Sequence, residues 1–147
     1  MPHSFCMRLT QLALLFGSLA GCGSSGPDLG QVTGTVTLDG EPIRGGSITF
    51  TPNVKDAGAS YGSIDKEGKY VLKFNRDRDG AAVGEHTVEI DPPEKPSKSD
   101  IAEAKEQGKP APEFINVKIP KKYSEPGALN ATVKAGPQVI DFKLESK

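Results

Sequence analysis

Few residues in this chain have the means to do chemistry. Its two cysteines, Cys6 and Cys22, both lie near the N-terminus, so neither a disulfide framework nor a cysteine zinc site can form in the body. Gly58-Ala59-Ser60-Tyr61-Gly62 matches the Gly-x-Ser-x-Gly string that raises a serine nucleophile on a strand-to-helix turn. A small hydrolase built on Ser60 would draw on His86 as its base. A strand and a turn follow the string instead of a helix, and the chain is too short for that hydrolase fold, so the sequence reads as non-enzymatic. Asn75-Arg76-Asp77-Arg78-Asp79-Gly80 sets oxygen ligands Asn75, Asp77 and Asp79 at alternate positions ahead of a glycine, the spacing of a calcium loop. Where that loop needs its bidentate Glu the chain has His86, with Glu85 one position short. Flanking strands also replace the helices, and a polar hairpin connection explains the same residues. Calcium is the sole cofactor the sequence suggests. Asp65 and Glu67 read as a solvated turn rather than an acid/base pair.

The most specific reactive residue is Cys22. Ahead of it a polar segment with one positive charge, Arg8, leads into the apolar stretch 9–20, twelve residues long. A bilayer-spanning helix needs about 20 residues, so this length suits the apolar region of a signal peptide. Leu19-Ala20-Gly21-Cys22 resembles the lipobox of bacterial lipoproteins. The resemblance implies a signal peptide at 1–21, diacylglycerol on the Cys22 thiol, cleavage before the cysteine, and further acylation, such as palmitate, on the new amine. An ordinary secretory signal cut at the same small residues is the alternative. Several acyl chains, each CH₂ contributing about 0.8 kcal/mol, hold far better than one. Residues 22–30 then read as the lipidated Cys and a Gly/Ser tether. As a flexible coil, residues 23–30 reach on the order of 16 Å. Gly23 is not the Asp that retains enterobacterial lipoproteins in the inner membrane, so by resemblance the outer membrane is favoured.

The elements that must position these residues have a period of two. Val32, Val36 and Leu38 alternate with threonines, with Gly34 on the apolar side. Ile48 and Phe50 follow, then a short strand at 61–64. Tyr70, Leu72 and Phe74 come next, then His86, Val88 and Ile90. Leu129, Ala131 and Val133, and last Ile140, Phe142 and Leu144, complete the series. Asp39-Gly40 and Asp65-Lys66-Glu67-Gly68 are turn signals. Seven strands with one wet face per sheet predict an all-β antiparallel sandwich over residues 31–147.

Residues 91–128 break the rhythm. Seven prolines bar a continuous strand or helix. Inside, residues 100–108 predict a short helix, with Asp100 and Glu103 as a capping box and Gly108 as its stop. So short a helix is expected to dock on a sheet. Long loops of this kind are often functional, which makes this segment or the 75–80 loop the expected contact surface, the latter as a calcium-dependent binding domain in the alternative reading.

Charge adds an exclusion. The chain carries 18 basic and 19 acidic side chains; loss of Arg8 with the signal leaves 17 against 19, a net of −2. No basic stripe is present, so nucleic acid is not an expected partner. Aromatic residues make up 6% and Trp is absent, which argues against a broad ligand-stacking surface.

Residues 32–43, Gly46-Ser47-Ile48-Thr49-Phe50-Thr51-Pro52, Asp65-Lys66-Glu67-Gly68-Lys69-Tyr70, 83–88, Ile119-Pro120-Lys121-Lys122-Tyr123 and the closing strand at 136–144 together resemble carboxypeptidase regulatory-like, or transthyretin-like, modules. The likeness is greatest to the small planctomycete lipoproteins of this type. It implies a seven-stranded prealbumin-like (Ig-like) sandwich and no settled activity. It also implies a non-catalytic binding or structural role in the cell envelope, with an envelope protein or glycan as partner. The urate-pathway hydrolases of transthyretin type end in Tyr-Arg-Gly-Ser. This chain ends Leu144-Glu145-Ser146-Lys147, so that activity is not implied.

Overall fold

The computed structural model describes residues 26–111 and 114–147. Its first strand, β1 (Leu29–Leu38), is the axis of one sheet. Along one edge β1 pairs antiparallel with β6 (Ala81–Ala82), β5 (Lys69–Val71) and β2 (Glu41–Pro42). Along the other edge it pairs parallel with β9 (Gly136–Val139) and β10 (Phe142–Leu144). The second sheet is antiparallel, in the order β4 (Ser60–Ser63), β3 (Ser47–Pro52), β7 (Gly84–Asp91) and β8 (Leu129–Val133). The protein is therefore mostly β, in two layers. Its closing strand corrects the all-antiparallel expectation. The chain turns once after β8 and re-enters the first sheet running in the direction of β1.

Alternation decides which side chains enter the core. Val32, Gly34 and Val36 point inward from β1, Ile48 and Phe50 from β3, and His86, Val88 and Ile90 from β7. Phe50 lies at the middle, its ring centroid 6.5 Å from Tyr70, 5.7 Å from His86 and 6.0 Å from Phe142. These separations suit tilted and edge-on aromatic contacts. Leu29 and Gly30, which the sequence assigned to the tether, are the first residues of β1. The short strands β2 and β6 were not expected, and the last strand is interrupted at 140–141.

That interruption is built by a glycine. A Cβ on Gly34 would meet the Ile140 carbonyl oxygen and lie 2.7 Å from its carbon and 2.9 Å from Tyr70 Cε1. With no Cβ there, the Ile140 carbonyl enters and accepts a 2.6 Å hydrogen bond from the Tyr70 hydroxyl. Thr35 N–H donates to Asp141 Oδ1 at 2.8 Å, so a carboxylate stands where a strand carbonyl would. Burial, with the nearby Asp141 charge second, holds the Tyr70 hydroxyl proton above the ordinary tyrosine range.

The turns follow their sequence signals. Asp39 and Gly40, at φ 51° and 88°, join β1 to β2 in the tight form favoured by Asp-Gly. Tyr61 and Lys73 exchange backbone hydrogen bonds of 2.9 and 2.8 Å, so the β4–β5 hairpin links the two sheets along one flank.

The expected helix is present as α1 (Lys98–Glu106), but two expectations about it are corrected. Its cap is Ser97, whose side chain accepts from Asp100 N–H while Asp100 bonds back; Asp100 is the third helical residue and not the start. Nor does α1 dock: it has no buried residue. Its polar composition gives it no apolar stripe, so local capping holds it. Farther along, Ile119 is buried and Val117 and Tyr123 pack against the core.

Candidate functional site

Cys22, the expected lipidation residue, lies outside the described residues, as does the signal segment 1–21. Leu29 pairs with Ala82, Gly84 with Val133, Gly30 with Gly136 and Pro52 with His86. These pairs gather one end of the sandwich where the chain enters, here the entry pole. Loops 53–59, 72–80 and 134–135 lie at this end. Leu38 pairs with Leu144 and Ser47 with Asp91 at the opposite end, the far pole. The segment 92–128 leaves from the far pole and returns to it.

The entering chain is fixed in place. Arg78 Nη2 donates to the Pro27 carbonyl at 2.9 Å, and Val83 N–H donates to the Asp28 carbonyl at 2.9 Å. Beside this clamp is a shallow pocket of about 330 Å³ lined by Pro27, Pro52, Val54, Ala57, Ala82 and Val83 among others. Val54 is 63% exposed and Val83 is 42% exposed, so two branched apolar side chains stand in solvent beside the chain entry.

Asn75, Asp77 and Asp79 share one loop at the entry pole, but two of the three are engaged internally. Asn75 Oδ1 accepts the backbone N–H of Asp77 at 3.0 Å and of Arg78 at 2.8 Å, closing the turn. Asp79 pairs with Lys73 Nζ at 2.9 Å. No group of three or more His, Cys, Asp or Glu that could hold a metal is found among the described residues. Asn75 Oδ1 and Asp79 Oδ1 are thus already engaged within the loop.

Ser60 and His86 are not joined. Ser60 is wholly buried on β4 opposite Phe50, in a strand and not at a strand-to-helix turn, and its Oγ has no hydrogen-bond partner. His86 is equally buried on β7. Its Nε2 lies 2.6 Å from the Ala82 carbonyl, which makes that nitrogen the proton-bearing one. Its Nδ1 has no partner.

Two surfaces escaped the sequence reading. The first is a groove of about 590 Å³ along the flanking β4–β5 hairpin, lined by Tyr61, Val71, Phe74, Lys73 and Arg76 among others. Tyr61 and Val71 sit on the outward phase of their strands and are 59% and 52% exposed. An apolar residue out of phase with its strand is the signal that would have found it. The second is the exposed pair Val54 and Val83, which only the tertiary fold brings together.

At the far pole Ser124 Oγ donates to the Ile90 carbonyl at 3.0 Å, and the Tyr123 hydroxyl accepts from Glu145 N–H at 2.9 Å. These bonds tie down the returning part of the long segment while α1 stands in solvent. Asp39 lies here too; its bonds with Ser146 keep its carboxyl below the ordinary aspartate range. Bonds with Ser97 do the same for Asp100.

No family model, curated protein or solved structure matches the chain. Among the described residues, no helix is long and apolar enough to cross a membrane.

Proposed function

We propose that this protein is a lipid-anchored module of the bacterial cell envelope. Cys22 carries the lipid, and a β-sandwich of prealbumin-like, carboxypeptidase regulatory-like type presents a non-catalytic binding or structural surface. The observation that carries the reading is polar. The chain downstream of Cys22 enters the sandwich at one end, and the long Pro-rich segment with its solvent-exposed helix emerges at the other. A short tether then holds the entry pole at the membrane and turns the 92–128 segment toward an envelope protein or glycan. Two mostly antiparallel sheets enclosing one core support the sandwich part of that reading. The unjoined Ser60 and His86 support a non-catalytic role. The outer membrane is the proposed address, on Gly23.

Mass spectrometry of the mature N-terminus, combined with membrane fractionation, tests the anchor. The expected product begins at Cys22, carries diacylglycerol and fractionates with membranes. A freely soluble product with an unmodified thiol at Cys22 overturns the reading.

A further inference from the structure

Resting on the lipid anchor just proposed, we infer that the entry pole is seated in the headgroup layer of the bilayer, with Val54 and Val83 as its apolar contacts. Three observations lead there. The first is reach. The Pro27 carbonyl is clamped by Arg78 at 2.9 Å, so only five residues of chain separate that fixed point from Cys22. Five residues of fully extended chain span at most about 18 Å. β1, with ten residues, is about 33 Å long. The tether is too short to invert the sandwich and bring the far pole to the lipid.

The second is what the entry pole displays. Val54 is 63% exposed and Val83 42% exposed, and both line the pocket that includes Pro27 itself. Apolar side chains clustered beside an attachment point are placed to meet the boundary between headgroups and acyl chains.

The third is charge. Loops 53–59, 72–80 and 134–135 with Asp28 and Glu85 give this end five basic and five acidic side chains, Arg76 and Asp77 at the loop tip among them. Such a balance provides no strong attraction to anionic lipid and no repulsion from it, so the contact is apolar and insensitive to salt.

The chain has no Trp, so a single introduced one reports its own surroundings. Val54→Trp, Glu41→Trp and Val139→Trp place the reporter at the entry pole, the far pole and the outer sheet face, at exposed positions that leave the core intact. Each lipidated full chain is inserted in phosphatidylethanolamine/phosphatidylglycerol vesicles whose lipids are brominated near the headgroup end of the chains. Flotation is measured alongside fluorescence.

The expected result is flotation of all three, with several-fold more quenching of Val54→Trp than of the other two, unchanged in high salt. Flotation with Val54→Trp quenched no more than Glu41→Trp overturns the seated pole and leaves the anchor standing. Flotation with Val139→Trp quenched most overturns it in favour of a sandwich lying on its side. Failure of the lipidated chains to float overturns the anchor, and the seated pole with it.

Discussion

Gly34→Ala is the most searching perturbation of this fold. The new Cβ would lie 2.7 Å from the Ile140 carbonyl carbon and 2.9 Å from Tyr70 Cε1. Carbons pack best at about 3.5–4.0 Å, so β1 and the closing strand must part by on the order of 1 Å. Overpacking of this kind costs about 1–3 kcal/mol. The same displacement takes the Ile140 carbonyl off the Tyr70 hydroxyl, now 2.6 Å away. This acceptor is part-buried, and a buried one stripped of its donor costs about 1–3 kcal/mol. The two effects overlap in one movement, so the expected loss is about 2–4 kcal/mol. Tyr70→Phe removes the bond alone and should lose about 1–3 kcal/mol. Because Gly34→Ala has already broken that bond, the double variant should fall short of the sum by about 1 kcal/mol or more. Urea unfolding of the mature chain, with all four proteins fitted at a common slope, measures this cycle. A Gly34→Ala chain within about 0.5 kcal/mol of the parent, or full additivity, would refute the argument that one glycine admits the carbonyl which Tyr70 holds.

Three further outcomes are expected. The folded-state pKa of Tyr70 is raised above its ordinary 10.0, so its contribution to stability is whole below pH 10 and declines as pH rises beyond it; urea midpoints measured across that range should fall less steeply for Tyr70→Phe than for the parent. Ser60→Ala should be neutral or stabilise by up to about 1 kcal/mol in thermal unfolding, because a buried hydroxyl without a partner is lost; a large destabilisation would mean that Oγ is bonded in solution. Millimolar calcium should leave the melting temperature unmoved, since Asn75 Oδ1 and Asp79 already have partners, and a clear upward shift would restore the loop as a ligand set.

The layers of this protein were legible because their physics is local. Val32, Gly34 and Val36 carry a period of two that needs no partner to be seen, and Asp39-Gly40 and Gly68 announce turns by backbone permission alone. The direction of the last strand was not legible. Leu144 reads the same whether it pairs parallel or antiparallel, and the choice is made by the route the chain takes after Val133. The helix could be placed, but its isolation could not, because docking depends on what the rest of the fold leaves uncovered. Of the candidate site residues, the 75–80 loop was found as a loop, yet which of its oxygens are already engaged is a matter of distances. Val54 and Val83 are 29 positions apart in sequence and carry no shared pattern. Their meeting beside Pro27 is a product of topology.

The pairing of β1 with the end of the chain bears on the order of assembly. Thr35 is held by Asp141, 106 positions later, and Val36 aligns with Phe142. The first sheet therefore cannot close until residues 136–144 are available, and contacts so far apart in sequence form slowly. A copy truncated before Gly136 would be left with a bare β1 edge, an open template for joining its neighbours.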